Sequence, residues 1–278
     1  MKPVLEKIPI GQAQTILAFE HRKKDFETPW HFHPQHELTL IEESVGTKFV
    51  GDFVGNYQPR ELVLLRSNLP HYWKNQPNES GLARSVVIQW NEDVFAKTPE
   101  LTTIFTMLKV AARGLVFGEK ITEKVYEYIK QLPQKSGGDL YIGLLSILLQ
   151  LSMSTYTTLS RASFEQDLSP EYSTRMSKIH DFINANFHRK IYLKEVADLI
   201  NMTEQSFARF FKKMMGRSFF TFLNEYRINQ ATRLLLDTDW TVATVGYQCG
   251  FESLPFFYQQ FNKYQQISPL KYRKQFLV

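Results

Sequence analysis

The chain has a single cysteine, Cys249, among its 278 residues. One thiol excludes an intramolecular disulfide framework and fits a reducing compartment, so the cytoplasm is the expected location. Cys249 has no base near it in the sequence and reads as a small buried residue, not a redox sensor. Also missing is any unbroken apolar run of the roughly 18 residues that a membrane span needs. The longest apolar segment, 143–151, carries Ser146 and Gln150 and reads as a buried helix. The opening MKPVLEKIPIGQAQ lacks the sustained apolar stretch of a secretory signal. No membrane partner is expected. Apolar residues at 43% and charged ones at 22% describe an ordinary globular chain, long enough for two domains.

What is present is unevenly distributed. From residue 174 to the end there are 15 Lys+Arg against 8 Asp+Glu, while the first 173 residues hold 18 against 20. The overall +5 therefore belongs to a basic C-terminal third. Such an asymmetry points to a polyanionic partner for that end only.

Three patterns follow one another along the chain. From about Phe19 to Asn91, β-rich runs at 36–41, 47–52, 61–66 and 83–89 are separated by Gly46, Gly55, Pro59, Pro70 and Pro77. Short strands at this spacing predict a small barrel or jelly roll. From about Pro99 to Ser160 the period becomes helical. Ile104, Leu108 and Ala111 share one face, as do Val125, Tyr128, Ile129 and Leu132. A third run, 141–151, is apolar nearly all round and needs covering, with a partner subunit as one candidate. The polar 161–173 reads as a linker. Beyond it, seven helices are expected at 175–187, 193–200, 204–214, 219–236, 242–249, 255–264 and 269–275.

The C-terminal region contains a diverged repeat, LKEVADLINMTEQSFARFFKKMMG at 193–216 and TVATVGYQCGFESLPFFYQQFNKYQQ at 241–266. Phe207, Phe211 and Lys213 recur as Phe257, Phe261 and Lys263, with a one-residue slip in the turn. Each copy places a small residue (Ala197, Gly246) in a short helix, which lets a second helix cross close over it. Thr203 and Ser253 stand where they would cap that second helix. The five phenylalanines Phe207, Phe210, Phe211, Phe257 and Phe261 fall at core spacing. Between the copies, 218–236 reads as one helix of roughly 30 Å at 1.5 Å per residue. That length approaches the ~34 Å repeat of B-DNA, so helices at the two ends of the rod can enter successive major grooves.

With the connecting FLNEYRINQATRLLLDTD, the pair Gly250–Phe251 and the closing ISPLKYRKQ, this stretch resembles the AraC/XylS-type DNA-binding domain. Three positions depart from the family pattern: Asn201 for a turn glycine, Gly246 for an alanine, and Pro255 in the first turn of the second recognition helix. The resemblance implies base reading by Gln205, Ser206, Ala208 and Arg209 in the first unit, and by Leu254, Pro255, Phe256, Tyr258 and Gln259 in the second. Arg209 is the leading base contact, because a guanidinium bonds guanine O6 and N7 together. Gln205 can pair with adenine in the same manner. Lys212, Lys213, Lys263 and Arg273 are the phosphate candidates; a solvated face is the alternative for Lys212 and Lys213, and a surface ion pair the alternative for Arg209.

In the strand-rich region, WHFHPQHEL places His31, His33 and Glu37 at even spacing, so they share a face that His36 does not. His71 follows in NLPHYWKN. With Pro70 and Asn75, these residues are similar to the cupin pattern HxHxxxE…PHxxxN. Three readings stay open: a divalent transition metal, a pocket that hydrogen-bonds a small polar effector, or structural histidines. Trp30, Tyr72 and Trp73 beside them suit an aromatic pocket wall or plain core.

The fold class expected is α+β and multidomain: a cupin-like β-barrel at 1–95, a helical dimerisation segment at 96–160, a linker at 161–173 and an all-α domain with two helix-turn-helix units at 174–278. The function expected is a sequence-specific DNA-binding transcription regulator and not an enzyme. Its partners would be double-stranded DNA, a small-molecule effector such as a sugar in the barrel, a second copy of the chain and RNA polymerase. No cofactor is required by this reading. The alternative is a metal-dependent cupin enzyme fused to a DNA-binding domain.

Overall fold

The computed structural model describes residues 14–24, 26, 30–75, 82–161 and 170–276. Pro77 and most of the expected linker lie outside these. The chain divides into two compact units, 2–173 and 174–278.

The first unit contains strands β1 (Ile16–Lys23), β2 (His36–Glu43), β3 (Gly46–Val50), β4 (Phe53–Tyr57), β5 (Leu62–Leu65), β6 (His71–Asn75), β7 (Ala83–Trp90), β8 (Leu115–Phe117) and β9 (Tyr156–Thr158). Among the described residues they form two antiparallel sheets, ordered β1-β7-β2-β5-β8-β9 and β4-β3-β6. A single closed barrel is not what these sheets make. The strand expected at 47–52 ends at Val50, because Gly51 adopts φ +56° and turns the chain into β4.

Alternation along β2 and β7 sorts the side chains between two faces. Leu38, Leu40, Val86, Ile88 and Trp90 enter the main core, whereas Glu37, Thr39, Ile41, Ser85, Val87 and Gln89 line a cavity on the other side. Helices α1 (Thr102–Val110), α2 (Glu119–Gln131) and α3 (Gly137–Ser152) supply the rest of that core through Ile104, Leu108, Val125, Ile129, Leu144 and Leu148.

Two expectations for 96–160 change here. The segment is not purely helical, since β8 pairs with β5, and β9 with β8, at the edge of the larger sheet. The apolar α3 is covered within its own chain, with Leu140, Leu144, Ile147, Leu148 and Leu151 buried in the shared core. Ile142, at 65% exposed, points away from it. Tyr128, expected inward beside Val125 and Ile129, is 57% exposed. The buried stripe of α2 runs along Thr122, Val125 and Ile129, and position 128 falls at its margin.

The second unit holds α4 (Pro170–Asn186), α5 (Leu193–Leu199), α6 (Glu204–Met215), α7 (Phe219–Asp237), α8 (Val242–Gln248), α9 (Leu254–Gln265) and α10 (Pro269–Phe276). Residues 170–173 are already helical, so α4 begins inside the expected linker. Local signals set most of these boundaries. Side-chain oxygens of Thr203, Ser218, Thr241 and Ser253 accept from the backbone N–H of Ser206, Thr221, Thr244 and Phe256 at the four N-termini. Gly216 and Gln266 close α6 and α9 in the left-handed region.

Candidate nucleic-acid interface and histidine cavity

The cavity of the first unit has a volume of about 240 Å³. At one end stand His31, Glu37 and His71, with Phe19, Phe26 and Trp73 among the apolar walls. Of the three aromatic residues expected at this wall, only Trp73 lines it. Trp30 is buried elsewhere, and Tyr72 stacks on Phe49. An isolated antiparallel bridge brings the ends together: His31 N–H donates to the His71 carbonyl (3.1 Å) and His71 N–H to that of His31 (2.9 Å).

Glu37 is the centre of the cluster. Its Oε2 lies 3.0 Å from His33 Nε2 and 3.6 Å from His71 Nε2. Thr39 donates to Oε1 at 2.6 Å, and Gln89 to Oε2 at 2.9 Å. Burial alone would raise the Glu37 pKa; the fields of His71 and His33 and hydrogen bonds to both rings outweigh it and hold the carboxyl well below its usual range. One candidate ligand atom from each of His31, His33, Glu37 and His71 falls within 4.8 Å of the others. Gln89 and Thr39 escaped the sequence reading. Gln89 reaches Glu37 because the two are register partners across β2 and β7, and no local motif encodes that pairing.

His36 faces away from this cluster, as its strand position predicts, but it is 1% exposed and so does not reach solvent. Its Nδ1 accepts from the Ser67 N–H, and burial pushes its pKa down to about 4. Asn75 is architectural: its Oδ1 accepts from the Phe26 N–H and its Nδ2 donates to the Lys24 carbonyl.

In the second unit, α6 and α9 bury one stripe and expose the other. Phe207, Phe210, Phe211, Met214 and Met215 are the buried face of α6. Gln205, Ala208, Arg209, Lys212 and Lys213 are exposed. Ser206 is half-buried and its Oγ accepts from the Thr203 hydroxyl. On α9, Phe257 and Phe261 are buried, while Pro255, Phe256, Tyr258, Gln259 and Lys263 are exposed.

The two turns are built alike. Met202 N–H donates to the Ala197 carbonyl (2.9 Å), and Phe251 N–H to that of Gly246 (3.1 Å). The residue before each donor is left-handed, Asn201 at φ +54° and Gly250 at φ +79°. Glu252 is then the extra residue behind the one-position slip.

The profile of a helix-turn-helix domain family matches residues 196–275. Over 98 residues the chain is 32% identical to the lactose operon transcription activator of Staphylococcus xylosus, covering 35% of each chain. It is 22% identical over 260 residues to the HTH-type transcriptional activator RhaS of an Enterobacter species, covering 93% of this chain and 92% of that one. The C-terminal unit carries a helix-turn-helix domain. A crystal structure of the DNA-binding domain of AdpA in complex with a target DNA aligns at 25% identity with TM-score 0.35, covering 37% of this chain and 91% of that one. The alignments span about a third of the length of the first curated relatives.

Within this helix-turn-helix domain the three positions that depart from the expected pattern have local causes. Asn201 occupies a left-handed position that asparagine tolerates better than most residues. At Gly246 a Cβ would meet the Phe257 ring at 3.0 Å, so glycine lets α9 sit closer to α8 than alanine allows. Pro255 stands at the second helical position, where no intrahelical N–H partner exists. Two expected contacts are placed differently. Leu254 is half-buried and packs against the second core with Val245 and Phe257. Arg273 caps the end of α7, its Nε donating to the Leu235 carbonyl at 2.8 Å and its Nη2 to that of Thr238 at 3.5 Å. Cys249 is fully buried, and burial pushes its thiol up to about 12.

Proposed function

We propose that the chain is a sequence-specific DNA-binding transcription regulator controlled by a small-molecule effector. The observation that carries the DNA reading is the paired architecture: two equivalent helix-turn-helix units joined by the 19-residue α7, each with an exposed helix face. At 1.5 Å per residue α7 spans roughly 28 Å, close to one turn of B-DNA. The first unit offers Gln205, Ala208 and Arg209, groups that read base edges. Phe256 and Tyr258 of the second suit thymine methyls and the sugar-phosphate wall, with Gln259 as its polar reader. Lys212, Lys213 and Lys263 supply phosphate contacts.

The cavity in the first unit is the effector site of this reading. It combines aromatic walls with convergent polar groups, the composition of a pocket for a sugar-like or other small polar ligand. The two-sheet, cupin-like unit would sense the ligand, and its helices would hold two copies together. The exposed Tyr128 and Ile142 on α2 and α3 support that placement of a homodimer interface. Contact with RNA polymerase would then turn DNA occupancy into regulation.

The test is selection of binding sites from random duplexes with the full chain. A selected motif with two half-sites about one helical turn apart is expected. Enrichment of no sequence over background would overturn the reading.

A further inference from the structure

We infer that a groove along α1 binds a small organic phosphate, a phosphate monoester with a hydroxylated body. The groove has a volume of about 730 Å³, within the range of small-molecule pockets. One wall is the face of α1 formed by Thr102, Phe105, Thr106 and Lys109, positions three and four apart on the helix. Arg66, just after β5, and Glu92 and Lys97, beyond β7, also line it. So does the buried ring of His36. Successive residues of a strand face opposite ways, which puts His36 and Glu37 on different sides of β2. The groove and the histidine cavity accordingly share no lining residue.

The polar groups of the groove are cations and donors in excess of acceptors. His36 Nδ1 accepts from the Ser67 N–H at 3.1 Å. Burial, which takes its pKa down to about 4, keeps the ring neutral at physiological pH. A neutral imidazole with an accepting Nδ1 carries its hydrogen on Nε2. Among the described residues that N–H meets no acceptor. Lys97 and Lys109 are exposed and pair with no carboxylate among the described residues. Arg66 has one carboxylate contact, its Nη2 lying 3.3 Å from Oε1 of the exposed Glu92. Three cations against one carboxylate leave two positive charges, which match a phosphate monoester above its second pKa of roughly 6. A guanidinium and ammonium groups are the partners that phosphate oxygens take.

The body of the ligand follows from the α1 face. Thr102 and Thr106 donate their hydroxyl hydrogens to the Pro99 and Thr102 carbonyls, at 2.7 and 2.8 Å. Their oxygens are left to accept, which suits ligand hydroxyls. Phe105 and Leu108 add apolar surface for the C–H face of a sugar ring. A bare phosphate would fill only a small part of this volume. The site lies outside the effector cavity and does not depend on the regulator reading.

The experiment titrates the full chain with glucose 6-phosphate, glucose and inorganic phosphate by calorimetry, with NMR of the histidine rings alongside. About one glucose 6-phosphate per chain is expected, with the His36 ring signals shifted at saturation. Glucose and inorganic phosphate each lack part of the contacts and are expected to bind at least about tenfold more weakly. Lys97→Glu and Lys109→Glu change exposed side chains that have no ion-pair partner among the described residues. Both are expected to melt like wild type and to weaken the ester at least about tenfold. His36→Asn keeps an acceptor for the Ser67 N–H but ends short of Nε2, and is expected to weaken the ester as well. Glu37→Gln, in the other cavity, is expected to leave the affinity unchanged. Wild-type protein that binds no glucose 6-phosphate overturns the site. Inorganic phosphate bound as tightly as the ester overturns the organic ligand. Affinity unchanged in both lysine variants overturns the groove, and its loss in Glu37→Gln would then place the ligand in the histidine cavity.

Discussion

The Arg227 guanidinium closes over Gly250. A Cβ on Gly250 would lie 2.9 Å from Nη2 and 3.0 Å from Nε of Arg227, and 2.2 Å from the Phe187 carbonyl oxygen. Arg227 in turn donates Nε–H to that carbonyl (2.8 Å) and Nη2–H to the Arg189 carbonyl (2.6 Å). Its burial lowers its pKa to about 10, which leaves it charged at neutral pH. One side chain of α7 thereby joins the end of α4 to the turn of the second helix-turn-helix unit.

Gly250→Ala should therefore be costly. The left-handed φ and the clash with a carbonyl that Arg227 needs act together, for about 2–3 kcal/mol. In a unit of this size that lowers the midpoint of thermal unfolding by roughly 10 °C. Asn201→Gly, at the equivalent turn, should change it by little. Circular dichroism melts of both variants make the comparison, and equal effects would contradict the role given to Arg227.

Arg209 and Lys212 should separate specificity from affinity. Arg209→Ala is expected to lose about 1–3 kcal/mol of discrimination at one base pair. Lys212→Ala should weaken all duplexes alike and reduce the salt slope by about one. Anisotropy titrations on matched and mismatched duplexes across salt concentrations read both. Unchanged discrimination in Arg209→Ala would remove it from the reading face.

Arg273 should behave as a structural residue. Its bonds to the Leu235 and Thr238 carbonyls cap α7, so Arg273→Ala should destabilise the domain by about 1–2 kcal/mol while leaving the salt slope of DNA binding unchanged. A slope reduced as in Lys212→Ala would restore it to the phosphate set.

His180 makes the second unit acid-sensitive. It is fully buried and stacked on Phe222, and burial lowers its pKa to about 3. In the unfolded chain a histidine takes up its proton near pH 6.5. Between these values the unfolded state binds more protons, so stability is complete above about 6.5 and falls as pH drops toward 3. The loss is on the order of 4 kcal/mol over that window. Urea titrations at pH 7 and pH 4.5 should show it, and His180→Leu should flatten the difference. His36 adds a loss of the same sign in the first unit, down to about pH 4.

Much of the second unit was legible because its signals are local. Caps at Thr203 and Ser253, apolar spacing at Phe207, Phe211, Phe257 and Phe261, and a repeat of about fifty residues need no knowledge of what packs on what. Positions facing outward from a helix follow from the same spacing, which is why Gln205, Ala208 and Arg209 come out exposed. Leu254 and Arg273 did not follow, since a side chain near a helix end can turn to the core or to a neighbouring carbonyl.

The first unit divides differently. Strand period alone put His31, His33 and Glu37 on one face and His36 on the other. The sequence by itself determined a strand-rich segment, a helical segment, a basic helical end with a doubled motif, and a set of four ligand-type residues. Only the tertiary structure decided that β8 and β9 extend the sheet of the first segment, that the sheet covers α3, and that Gln89 and Thr39 hold Glu37 among three imidazoles. The Glu37–Gln89 and β5–β8 contacts join residues about fifty positions apart in sheet register, and register is set by the whole core at once, not by any short stretch of chain.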